Sequence, residues 1–139
     1  MIKQINQLKD FQRSFGGLVN NEPTLIPREN WLLRLNLSQE ELDEYKDACE
    51  DEDLVEVFDS ILDRLFLAFG DAVEHGLSNI LERGFDEVYR SNMSKLDDNG
   101  IAIINGVGVI DETRPLGKVL KSKNYSEPNL KQFLDLNNE

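Results

Sequence analysis

Residues 40–59 read EELDEYKDACEDEDLVEVFD, two amphipathic segments meeting at an acidic turn. The useful question is which of these carboxylates lie where the apolar residues lie. At about 100° per residue, Asn36, Glu40, Asp43, Asp47 and Glu50 fall on one polar side of the first segment. Glu41 and Glu44 instead fall in line with Leu37 and Ala48, a stripe expected to face the protein interior. The second segment, DLVEVFDSILDRLFLAFGDAV, is apolar on most sides, yet Glu56, Asp59 and Asp63 share one of its faces. Buried unpaired carboxylates cost several kcal/mol each, and Arg64 is one of the few cations nearby.

A helical hairpin turning near Glu50 would place Glu41 level with Asp59 and Glu44 level with Glu56. Four oxygen-bearing side chains would then converge, the ligand type that hard divalent cations take. The missing positive charge is most simply Mg²⁺, with Mn²⁺ as a possible substitute. The alternative reading leaves these acids as helix-surface charges or as partners for lysines.

Working outward, Leu8, Phe11 and Phe15 recur at helical spacing and Gly16-Gly17 closes a first helix. The prolines of NNEPTLIPREN impose an extended connection, after which Trp31, Leu35, Leu42 and Tyr45 mark a second helix to about Cys49. The third helix is expected from about Asp53 to His75, with Gly76 as its stop. Ser78 is a candidate cap for a fourth helix carrying Leu81, Phe85, Val88, Asn92 and Leu96 on one face and ended by DDNG. In IAIINGVGVI, two β-branched runs flank Asn105-Gly106, which predicts a small β-hairpin, followed by a lysine-bearing extended arm. The expected fold class is all-α, a four-helix antiparallel bundle in a single domain over 1–139. Its helical core covers about 1–97, and the hairpin and basic arm about 98–139.

The net charge of −12 is the wrong sign for gripping a nucleic-acid polymer. No apolar run approaches the roughly 20 residues of a membrane span. The N-terminal MIKQINQLKDFQRSF does not read as a secretory signal, so a cytoplasmic protein is expected. Cys49, the single cysteine, excludes an internal disulfide and reads as a semi-buried packing residue. His75 reads as a structural residue at a helix end, and Trp31 as core or interface packing.

Placed together, EELDE and EVFD resemble the EExxE…ExxD signature of the all-α nucleotide pyrophosphohydrolases, the MazG-like superfamily. VYRSNMSKL and GKVLKSKNY, with the helical segments before them, are similar to its phosphoribosyl-ATP pyrophosphohydrolase-like branch, over about Phe11 to Tyr125. The resemblance implies Glu41, Glu44, Glu56 and Asp59 as magnesium ligands, the set that the helical phase selects. It implies Asp63 as a further acid that holds a second metal or the attacking water, and Arg90, Asn92 and Lys95 as nucleotide contacts. Two departures from the pattern are a short connection between the acidic motifs and a long segment, IAIINGVGVIDETRPL, before GKVLK.

The implied reaction is Mg-dependent hydrolysis of a (deoxy)nucleoside triphosphate between its α and β phosphates, giving a monophosphate and pyrophosphate in nucleotide-pool house-cleaning. One rival is phosphoribosyl-ATP hydrolysis in histidine biosynthesis; another is a non-catalytic helical module that binds a metal or a partner. The clustered bases in YRSNMSK and GKVLKSK suggest that Lys95, Lys118 and Lys121, with Arg90 and Asn92, hold the phosphates. Tyr125, Trp31 or Phe15 could stack on the base. The apolar third helix and the resemblance together imply a homodimer or homotetramer.

Overall fold

The computed structural model describes residues 1–134. Among them are four α-helices: α1 (Ile2–Phe15), α2 (Arg28–Glu50), α3 (Leu54–Glu74) and α4 (Leu81–Met93). A 3₁₀ turn follows at Lys131–Phe133. The chain divides into two compact units, Met1–Leu81 and Glu82–Glu139.

In the first unit, α1 lays Ile5 and Leu8 against Ala72 and Val73 of α3, and Val19, Phe69, Leu77 and Leu81 pack around them. Helical spacing puts the α1 residues on one face, and the small Ala72 lets the helices approach. Gly16 ends α1 at φ 74°. α3 ends the same way at Gly76, φ 71°, whose N–H reaches Val73 O while Leu77 N–H reaches Ala72 O. His75 ties this end to the preceding connection: its Nδ1 lies 2.8 Å from Thr24 O, and its own carbonyl accepts from Thr24 N–H. The structural reading of His75 holds.

A polar knot crosses this apolar packing. Glu74, only 5% exposed, accepts from Gln12 Nε2 at 2.7 Å and from Arg34 at 3.3 Å. Arg34 also donates to Asp71 and to the Leu67 carbonyl, both at 2.5 Å. A Cβ on Gly70 would sit 2.5 Å from the Arg34 guanidinium, so glycine there makes room for it. One arginine of α2 thus clamps α3, while Glu74 links it to α1.

The α2–α3 connection is three residues long and closed at both ends. Glu52 takes the left-handed conformation at φ 56°, Glu52 N–H bonds Cys49 O, and Asp53 N–H bonds Ala48 O. Asp53 then caps α3, its Oδ1 accepting from Val55 N–H at 2.9 Å and Glu56 N–H at 3.2 Å. The pivot is therefore Glu52, not Glu50 as the sequence suggests, because α2 continues through Glu50 before the chain reverses. This shift brings Arg34 against Gly70, and of the α3 acids Asp63 repels the Glu41 carboxylate more strongly than Asp59 does.

Other expectations also change. Apart from Ser60, the interior expected around α3 covers only its C-terminal part: Gly70, Ala72, Val73 and Glu74 are buried, whereas Leu54 and Phe58 are 79% and 61% exposed. Cys49 is exposed, because it sits on the outer side of the last turn of α2. Ser78 is not the α4 cap: another turn, closed by Ile80 N–H to Leu77 O, intervenes before the helix starts at Leu81.

In the second unit, α4 carries a bidentate pair in which Arg90 donates twice to Glu87, both at 2.8 Å. Glu87 also accepts from Asn129 N–H and Arg90 donates to Glu127 O, which fastens the arm to the helix. These donors, Arg90 foremost, hold the Glu87 carboxyl down to about 2. The expected β-hairpin at Asn105-Gly106 does not form. Ile104 makes an isolated antiparallel bridge to Val119, and no strand occurs among the described residues. A type I′ turn needs positive φ at both central residues, and here Gly106 has it while Asn105 does not. The Asn105 side chain, 2% exposed, turns inward and bonds the loop that follows it.

Candidate active site

The α2–α3 hairpin places Glu41 and Glu44 on one helix and Glu56, Asp59 and Asp63 on the other. Among the described residues none of the five forms a salt bridge. The acids of the outer face behave differently: Asp47 and Glu50 pair with Lys46, and Asp43 accepts from Gln39. Arg64, the expected neutralising cation, lies over the Tyr45 ring at 5.3 Å.

Glu41 stands apart within the set. It is half-buried, and its Oε2 is fully buried without a hydrogen-bond partner. Burial first, then repulsion from Asp63, Glu44, Glu40 and Asp59, raises its carboxyl above the usual 4.5. Glu44, Glu56, Asp59 and Asp63 are exposed in the single chain, which corrects the expectation that all of them face inward.

Glu44 and Glu56 line a hollow of about 400 Å³ with Asp47, Ala48, Asp51, Asp53 and Ser60, and no basic side chain enters it. An orphaned buried oxygen, mutual repulsion and an all-oxygen donor set fit a hard divalent cation. Among the described residues, no three His, Cys, Asp or Glu side chains are gathered into a set that could hold a metal ion.

Of the residues expected to bind substrate, the structure brings four together inside the second unit. Lys95, Lys118, Lys121 and Tyr125 line one hollow of about 540 Å³ with Val109, Asp111, Arg114, Val119 and Leu120. Lys121 Nζ lies 4.0 Å from the centre of the Tyr125 ring. Arg90 is outside this lining and engaged by Glu87; Asn92 is also outside it, accepting from Lys95 Nζ at 2.6 Å. Trp31 and Phe15 are exposed on the first unit, and Arg28 lies 5.9 Å from the centre of the Trp31 ring.

Sequence reading missed Arg34, Asn105 and Arg114. Gly70 was a faint signal for Arg34, as a glycine inside a helix marks a close approach. Asn105 carried the opposite signal, because Asn-Gly reads first as an exposed turn.

A family model described as phosphoribosyl-ATP pyrophosphohydrolase matches residues 8–92, a span that includes all five acids. No curated protein matches the chain. No helix of the described residues is long and apolar enough to cross a membrane.

Proposed function

The chain belongs to the phosphoribosyl-ATP pyrophosphohydrolase family, within the MazG-like all-α superfamily, and from that membership we propose that it hydrolyses a (deoxy)nucleoside triphosphate between the α and β phosphates. The observation that carries the reading is Glu41, a carboxylate with a buried orphan oxygen among unpaired acids. Glu41, Glu44, Glu56 and Asp59 would hold Mg²⁺. Once bound, the ion would neutralise phosphate charge and make a coordinated water more acidic. Asp63, next to Glu41 and unpaired, accepts the proton of the attacking water. Lys95, Lys118 and Lys121 take phosphate oxygens, and Tyr125 offers a flat ring to the base. The role is cytoplasmic house-cleaning of the nucleotide pool.

Phosphoribosyl-ATP is the second reading, favoured by the family's own description. It offers the same α–β bond to the same acids, so only the pocket separates the two. A panel of dUTP, dCTP, dTTP and phosphoribosyl-ATP with Mg²⁺ tests both: at least one substrate should yield a monophosphate and pyrophosphate. No pyrophosphate from any of them would refute the enzyme reading, and turnover of phosphoribosyl-ATP alone would replace the first reading by the second.

The expected four-helix bundle reduces to three packed helices, α1, α2 and α3, in the first unit, and we also propose that this unit completes itself in a homodimer or homotetramer. Leu33, Leu35 and Leu42 of α2 and Leu54, Val55, Phe58, Leu62 and Leu65 of α3 are all exposed. An apolar surface this extensive is typical of an interface. Light scattering should give at least twice the 15.9 kDa chain mass, and Phe58→Glu should lower it. A wild-type protein of single-chain mass at micromolar concentration would rule the assembly out.

A further inference from the structure

The acidity of this protein is unevenly spread. Residues 1–81 carry seven Lys and Arg against 17 Asp and Glu, a net of −10, and residues 82–139 carry eight against ten, a net of −2. Within that second unit, the hollow of about 540 Å³ has four cations, Lys95, Arg114, Lys118 and Lys121, and one acid, Asp111. The Asp111 carboxylate is turned back on its own turn, accepting from Thr113 N–H at 2.9 Å and Thr113 Oγ1 at 2.6 Å. Lys121 is only loosely paired, 3.9 Å from Glu127, and Arg114 and Lys118 have no salt bridge among the described residues.

The loop carrying these groups is built on one buried amide. Asn105 Nδ2 donates to the carbonyls of Asp111 at 2.9 Å, Arg114 at 2.8 Å and Pro115 at 3.2 Å, and its Oδ1 accepts from Asp111 N–H at 2.7 Å. Its backbone adds two more ties, N–H to Lys118 O and O from Gly117 N–H, each at 2.9 Å. Every residue that Asn105 holds lies between 111 and 118. A surface loop in solvent does not require a fully buried, fully bonded side chain at its centre. A loop that must present fixed charges does.

We propose that Arg114 binds substrate phosphate in this hollow, and that Asn105 is the positioning residue that holds the loop in place for it. The inference rests on the reading of Lys95, Lys118 and Lys121 as phosphate-binding, and adds the residue whose planar fork can grip two phosphate oxygens at once. The ligand class is a chain of two or more phosphates. A single phosphate brings about −1.5 to −2 charges, short of the net +3 of the lining. Both residues lie beyond the span that the family model matches.

Calorimetric titration of the full chain with inorganic tripolyphosphate, in chelator so that no divalent cation takes part, tests the proposal apart from catalysis. Wild type should bind tripolyphosphate more tightly than orthophosphate. Arg114→Ala should weaken that binding at least about tenfold, and Arg114→Lys should recover part of it. Asn105→Ala should weaken it too, and Asn105→Ala with Arg114→Ala should be no weaker than Arg114→Ala alone, the non-additivity expected of a residue acting through another. Wild-type binding by Arg114→Ala overturns the proposal, and additive losses overturn the positioning role. The two readings fail separately. Tripolyphosphate binding without nucleotide turnover removes the enzyme activity and leaves this site, whereas turnover with a KM unchanged in Arg114→Ala removes Arg114 and leaves the enzyme.

Discussion

Glu41→Gln should lower pyrophosphate release by about a thousandfold, roughly 4 kcal/mol in the activation barrier, while leaving the chain folded. The expectation comes from the one carboxylate whose buried oxygen has no partner and whose charge is opposed by Asp63, Glu44, Glu40 and Asp59. A cation placed there removes the repulsion, so a neutral amide forfeits the stronger of the two interactions. The same residue gives a stability result of opposite sign. Its folded value lies above the ordinary 4.5, so the stabilisation it lends by holding a proton is full below pH 4.5 and is lost as pH rises through the folded value. At pH 7 the ionised group therefore destabilises the metal-free fold, and Glu41→Gln without metal should melt at an equal or higher temperature. Glu40→Gln, on the solvated side of α2, is the control and should change turnover little. Equal losses at positions 40 and 41 would undo the assignment of faces.

The largest stability effect is expected at Arg34. Arg34→Met leaves Glu74 in a 5% exposed position with one neutral donor, Gln12, and should cost about 3 to 5 kcal/mol of unfolding free energy in urea. Combining it with Glu74→Met, which removes the stranded charge, should restore part of the loss. A single Arg34→Met variant within about 1 kcal/mol of wild type would show that the knot is not what joins α1, α2 and α3.

The helices and their stops could be read from the sequence because their signals are local: Gly16 and Gly76 end α1 and α3 as expected, and Asp53 caps α3 from within the acidic turn. The half-burial of Glu41 was legible for the same reason, since helical phase alone separates it from the exposed Glu40. What phase could not reveal is register across the hairpin. That depends on Glu52, a non-glycine residue in the left-handed conformation. Burial could not be read either. Apolar content predicts that α3 wants cover, but within one chain the buried apolar cluster forms only around Ala72 and Val73, where α1 packs. In the second unit, local propensity pointed the wrong way. Asn105-Gly106 has the composition of an exposed turn, and only the distant carbonyls of Asp111, Arg114 and Pro115 make it a buried hub.

The tight closure of the α2–α3 connection bears on how such a chain can vary in length. With Glu52 N–H bonded to Cys49 O, Asp53 N–H to Ala48 O and Asp53 capping α3, no residue in that connection is spare. One residue added within α2 between Glu41 and Glu44 would turn Glu44 away by about 100°, since each helical residue advances the phase by that angle. An insertion in the connection would break the caps and shift the register between α2 and α3. The 101–117 segment has no helical phase to lose, and its path is held chiefly by Asn105, with further ties at Ile101 and Ile103. Gains and losses of residues are therefore costly within the acidic hairpin and easier to absorb in the loop outside the residues that Asn105 bonds, so loop length can change there while the hairpin keeps a fixed count.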